Sequence, residues 1–248
     1  MSEDDWSACT DPQLMLLFLR SRRAATDRKL RLFACACCRR IWHRFPDPLN
    51  RDPVVEVEDH PDGRFEDEDI LTAVRASSSV EPECRGQPAY WVAKALGRGF
   101  YKMTAFESAT LVACKAMALD DQDYGHRVEV ELFWSVSGGA IADRGDVSLP
   151  TPVRPAAVQV EATAQAGLLR EVFGSPFRPV NFEGEWRTEA VVALARGMYE
   201  SRDFTVMPVL TDALEDAGCP NEDILAHCRG GGHHVRGCWV VDVVLGKA

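Results

Sequence analysis

Nowhere in the 248 residues is there an unbroken apolar run of the length a bilayer demands, about 20 residues. The opening MSEDDWSACT has neither the positive region nor the apolar core of a secretory signal. These two absences predict a cytoplasmic protein with no membrane partner. Positive charge is also in short supply. The chain carries 28 Lys and Arg against 38 Asp and Glu, a net charge of -10. Wide, non-specific binding to nucleic acid is therefore not expected. A Walker-type phosphate loop and a GxGxxG dinucleotide fingerprint are both missing, which removes the two commonest nucleotide-binding signatures.

Cysteine is not scarce. There are nine, an odd number, and three of them fall within CACC, Cys35 to Cys38. Neighbouring residues on one helix point in different directions, so this cluster is poorly placed for local disulfides. Without an export signal, reduced thiols are the natural expectation. Free cysteine behaves as a small buried hydrophobe. The stretch TDRKLRLFACACCRRIWHRF, Thr26 to Phe45, fits that role. Leu30, Phe33, Ala34, Cys37, Ile41 and Phe45 recur at helical spacing, and Leu32, Cys35, Ala36, Cys38 and Trp42 fill most of the remaining circumference. A helix apolar nearly all round is buried among other elements. Thr26 is its expected N-cap.

The rest of the chain reads as mainly α, a multi-helix, bundle-like globular fold. Leu14, Leu17 and Phe18 are expected to form the buried stripe of a short first helix. The segment PDPLNRDPVVEVEDHPDG is broken by prolines and Asp-Gly and reads as loop with room for a short extended piece. Residues 128–136 alternate in polarity and leave room for a small β element. An N-terminal helical region, 1–137, is expected to be followed by a flexible link, 138–156. A C-terminal helical region, 157–248, completes the chain and is expected to pack on the first as one globular unit. Gly174 should stop a helix, and Thr188 and Asn221 should start two others. Charge is segregated near the start. Arg20 to Arg44 holds nine Lys or Arg and one acid, whereas Asp52 to Asp69 holds nine acids and one Arg. These segments can neutralise one another or face solvent.

Three pieces resemble an uncharacterised family of proteins from planctomycete bacteria. They are LRLFACACCRRIWH, LLREVFGSPFRPV and LTDALEDAGCPNEDILAHCRGGGHHVRGCWVVDVVLGK. The resemblance extends over about half the chain and is specific in these three pieces, which hold 65 of the 248 residues. By the family's pattern His234 corresponds to a usual histidine, while His233 stands where proline is common. The resemblance implies no activity, substrate or cofactor.

Chemistry is concentrated in the last of these pieces. If a helix spans Val235 to Leu245 and reaches back one turn, His234, Cys238 and Asp242 share one face at spacings of four. Cys238 would then be a nucleophile beside a histidine base oriented by a carboxylate, the arrangement of a cysteine-dependent or metal-assisted enzyme. Cys219, Cys228, His234 and Cys238 form the alternative, a structural zinc set, to which Cys35 and Cys38 are candidate additions. Their spacing matches no common zinc finger. Cys228 has His227 beside it in sequence, but a helix would turn the two side chains apart. Asp242 interrupts CWVVDVVL, and a carboxylate buried there requires a polar or cationic partner. The strongest regular features are packing faces and opposed charge segments. The leading expectation is therefore a non-catalytic intracellular interaction or regulatory module with a protein partner.

Overall fold

The computed structural model describes residues 1–45, 48–62, 113 and 156–247. Among the described residues all regular structure is helical, with nine α-helices and two 3-10 turns and no strand. The mainly α expectation holds. The proposed β element at 128–136 and the expected link at 138–156 lie outside the described residues, except Ala156, which begins a helix. The chain divides into two compact units, Met1–Gly167 and Leu168–Ala248, so the boundary falls inside a helix.

In the first unit, α1 (Glu3–Ala8) is closed by a capping box between Ser2 and Asp5. Helix α2 (Pro12–Ser21) starts at Asp11, whose carboxylate accepts from the amides of Gln13 and Leu14. Its buried face is Met15, Leu16 and Leu19, while Leu14 is 48% and Leu17 37% exposed. The expected stripe is displaced because every residue from Leu14 to Leu19 is apolar, and such a run does not select a face. Helix α3 (Asp27–Arg40) begins at Thr26, which accepts from the Lys29 amide at 3.3 Å. Leu30, Phe33, Ala34, Cys37, Ile41 and Phe45 are all buried, as are Leu32, Cys35, Ala36 and Cys38. A 3-10 turn, Trp42–Arg44, follows it.

Helix α4 (Pro48–Asp59) occupies the segment expected to be loop. Pro48 fits a first turn, where a missing amide costs little. Pro53 removes one donor from the interior, but the apolar Val54 and Val57 are fully buried and α4 packs on α3. Tertiary burial outweighs the local cost. The same packing joins the two charge segments. Arg28 meets Asp62 at 2.9 Å, Arg39 meets Glu58 at 2.6 Å, and Arg31 donates to the Pro61 carbonyl at 2.7 Å. Arg40 forms a forked pair with Glu161 of α5 (Ala156–Phe173).

The second unit begins with the last turn of α5 and continues through α6 (Glu189–Ser201), α7 (Met207–Asp216), α8 (Glu222–Arg229) and α9 (Trp239–Val244). Gly174 terminates α5 at φ +67°, in the left-handed region. Thr188 and Asn221 cap α6 and α8 as expected. Helix α6 packs on α7 and α9, and α8 packs on both α7 and α9. Ala195, Met198, Leu210, Leu214, Ile224 and Val240 form the centre of the shared core. The guanidinium of Arg187 donates to the carbonyls of Val243 and Val244, which satisfies part of the C-terminus of α9.

Candidate metal centre

Four side chains of the second unit converge from three directions. Glu171 comes from the last turn of α5, His227 from the last turn of α8, and His234 and Cys238 from the segment between α8 and α9. One ligand atom from each lies within 4.8 Å of every other. His227 Nε2 stands 3.2 Å from Cys238 Sγ and 3.3 Å from one Glu171 oxygen. His234 Nδ1 is 3.1 Å from the other Glu171 oxygen. The site is largely closed to solvent. Side-chain exposure is 18% for His227, 9% for Glu171 and 6% for His234. Cys238 is fully buried.

Local sequence explains the convergence. Asn221 starts α8 and Gly230 ends it, so the last turn carries His227 and Cys228 about 100° apart. Cys228 enters the apolar core and His227 faces the cluster. After Gly230 the chain doubles back towards the end of α8. His234 Nε2 then lies 3.3 Å from the Gly230 carbonyl, which anchors the ring by its far nitrogen. Gly237, at φ +96°, turns the chain again, and the Cys238 amide closes a short turn on Val235. Cys238 becomes the residue before α9 rather than part of it.

This corrects the common face expected for His234, Cys238 and Asp242. Helix α9 starts only at Trp239, because the left-handed Gly237 interrupts any helix reaching back to Val235. His234 and Cys238 do come together, but by a loop. Asp242 is fully buried and lies outside the four-residue group. Cys219 and Cys228 also lie outside it, as members of the apolar core. Among the described residues Cys35 and Cys38 join no such group, and Cys35 Sγ approaches the Val54 carbonyl at 3.7 Å. None of the seven described cysteines forms a disulfide. Sequence reasoning missed Glu171 as a ligand. Its one signal in the sequence is a carboxylate set among the apolar Leu168, Leu169, Val172 and Phe173.

Protons hold the cluster together as it stands. Burial alone would raise the Glu171 carboxyl, but hydrogen bonds from His227 and His234 override it and hold the group down to about 2. Burial disfavours the charged His234 imidazole, yet the adjacent Glu171 carboxylate leaves it raised above the ordinary histidine value. The Cys238 thiol is pushed well up by burial and then by the Glu171 charge. Burial and the same carboxylate push Cys228 up to about 12. Neither sulfur is an activated nucleophile in this state.

The donor set also suits a metal ion. In a tetrahedral zinc site the ligand bonds of about 2.0–2.3 Å place neighbouring ligand atoms roughly 3.3–3.6 Å apart. Three of the contacts, at 3.1–3.3 Å, are close to that, and one ligand atom from each residue lies within 4.8 Å of the others. This Glu/His/His/Cys group could therefore hold a metal ion. No family model matches the chain, and no curated protein or solved structure matches it either.

Proposed function

We propose that the second unit is a metal-stapled, non-catalytic interaction module, with zinc as the metal and Glu171, His227, His234 and Cys238 as its ligands. The carrying observation is that four donors of zinc-compatible type meet inside one small helical unit and are nearly closed to solvent. A catalytic zinc keeps a coordination position open for water or substrate, whereas a structural zinc is closed by four protein ligands. The burial here favours the closed kind, and it counts against an enzyme centred on Cys238, His234 and Asp242. A staple at this point joins the end of α5, the end of α8 and the start of α9. A unit of about 80 residues has a modest core, and a metal is one of the usual supplements.

Thiolate ligation suits a reducing, cytoplasmic setting. The partner in this reading is another protein. Val206 and Val209, 36% and 50% exposed beside and on α7, offer it apolar surface. All four ligands also fall inside pieces that resemble the planctomycete family. Glu171 lies in LLREVFGSPFRPV, and the other three lie in the terminal piece. The proposed staple would then be a property of that family.

The test is a Zn²⁺ titration of the full chain against a competing chelator, with bound metal counted by elemental analysis. One ion per chain is expected at submicromolar affinity, weakened at least 100-fold in Cys238→Ser and in His234→Ala. Binding weaker than micromolar, or unchanged in both variants, would remove the proposal.

A further inference from the structure

We infer that Trp239 gates the metal site by holding His227 in the tautomer that cannot bind metal. The inference rests on the zinc reading above and adds how occupancy is controlled and where it is felt. The indole nitrogen of Trp239 lies 3.1 Å from His227 Nδ1. An indole N–H only donates, so Nδ1 is the acceptor and presents its lone pair to Trp239. A neutral imidazole has one N–H, and here that proton must sit on Nε2. Nε2 is the nitrogen that faces Glu171 and Cys238. The atom positioned to ligate is therefore blocked by its own proton.

His234 differs. Its Nδ1 faces the cluster while Nε2 is anchored on the Gly230 carbonyl, an acceptor that favours a proton there. That is the usual outer-shell arrangement of a metal-bound histidine. In the metal-free chain both histidines donate to the Glu171 carboxylate, so each must lose a proton to ligate. His234 then keeps the Nε2–H that the Gly230 carbonyl accepts, whereas His227 must take up a proton at the atom facing the Trp239 N–H.

Binding through His227 Nε2 requires that proton to leave to water and another to be taken up at Nδ1. The ring stays neutral, but Nδ1–H now confronts the indole N–H. Two donors cannot share the contact, so the hydrogen bond breaks and the indole turns away. Trp239 has little freedom on its other side. A Cβ at Gly174 would lie 3.2 Å from its ring atoms, so the backbone there is already in close contact. Trp239 is also the first residue of α9, which packs on α6 and α8. Its release therefore transmits metal occupancy to the start of the terminal helix.

The experiment is nitrogen NMR of the full chain before and after saturation with Zn²⁺. The Trp239 indole and His227 ring signals are assigned in the wild-type chain by through-bond correlation to their own backbone amides. The expected result is a hydrogen-bonded indole and a His227 Nε2–H in the metal-free chain. On saturation the indole should leave its hydrogen-bonded position and His227 should carry its proton on Nδ1. Trp239→Phe removes the competing donor while keeping an aromatic ring, and should tighten Zn²⁺ binding about tenfold. If elemental analysis finds bound zinc but the wild-type indole and His227 signals do not change, the gate is wrong and the staple stands. If no zinc binds, the staple itself fails. The wild-type spectra decide the matter even if the variant folds poorly.

Discussion

Replacing Glu171 with glutamine should have its largest effect in metal-free protein between about pH 4.5 and 6.5. The carboxyl is held at about 2 against an ordinary 4.5, with its side chain 9% exposed. At about 1.4 kcal/mol per pH unit, that displacement corresponds to on the order of 3 kcal/mol of folding stability. The sign follows from the direction. A depressed carboxyl contributes in full above its unfolded value and loses its contribution as pH falls through about 2. His234 is shifted upward, so its contribution is full below its unfolded value, 6.5, and is lost as pH rises through its folded one. The two windows overlap at mildly acid pH. Glu171→Gln keeps the shape of the side chain but removes the charge that holds both imidazoles. Urea unfolding at about pH 5.5 with a chelator, read by hydrogen exchange at the amides of α8 and α9, measures the loss in the right unit. About 3 kcal/mol is expected, shrinking towards pH 2 as the parent carboxyl protonates. A loss below about 0.5 kcal/mol, or one indifferent to acid, would refute the charge network. With Zn²⁺ bound the alkaline limb should invert, because the ligands must be deprotonated to bind.

Phe33→Ala should cost about 3–5 kcal/mol in denaturant unfolding, because the ring is fully buried in α3. A loss under about 0.5 kcal/mol would place Phe33 outside the core. Gly174→Ala should cost about 2 kcal/mol in thermal unfolding. The left-handed φ penalises any side chain, and the new Cβ would press on the Trp239 ring. An unchanged melting temperature would contradict both the φ and the close contact.

The amphipathic and capping logic of most helices was legible in the sequence. Thr26, Thr188 and Asn221 cap where they should, and the face of α3 is buried as its spacing required. Legibility failed where local signals were either saturated or outvoted. Leu14 to Leu19 is apolar throughout, so no period could choose Met15, Leu16 and Leu19. Pro48 and Pro53 argued for loop, but the burial of Val54 and Val57 against α3 prevailed. At the site, the spacing of four in the sequence pairs His234 with Cys238, but it sets His227 only beside Cys228. The loop geometry that brings them together depends on Gly237, whose positive φ is invisible to a periodicity argument. Glu171, 56 residues before His227, could be matched to them only in three dimensions.

The central claim, that these four residues hold one metal ion, is tested most directly by X-ray absorption at the zinc edge of the loaded full chain. The account predicts one sulfur at about 2.3 Å and three nitrogen or oxygen ligands at about 2.0–2.2 Å. The sulfur should vanish in Cys238→Ser. A spectrum with no sulfur in the parent, or with two or more, would contradict it.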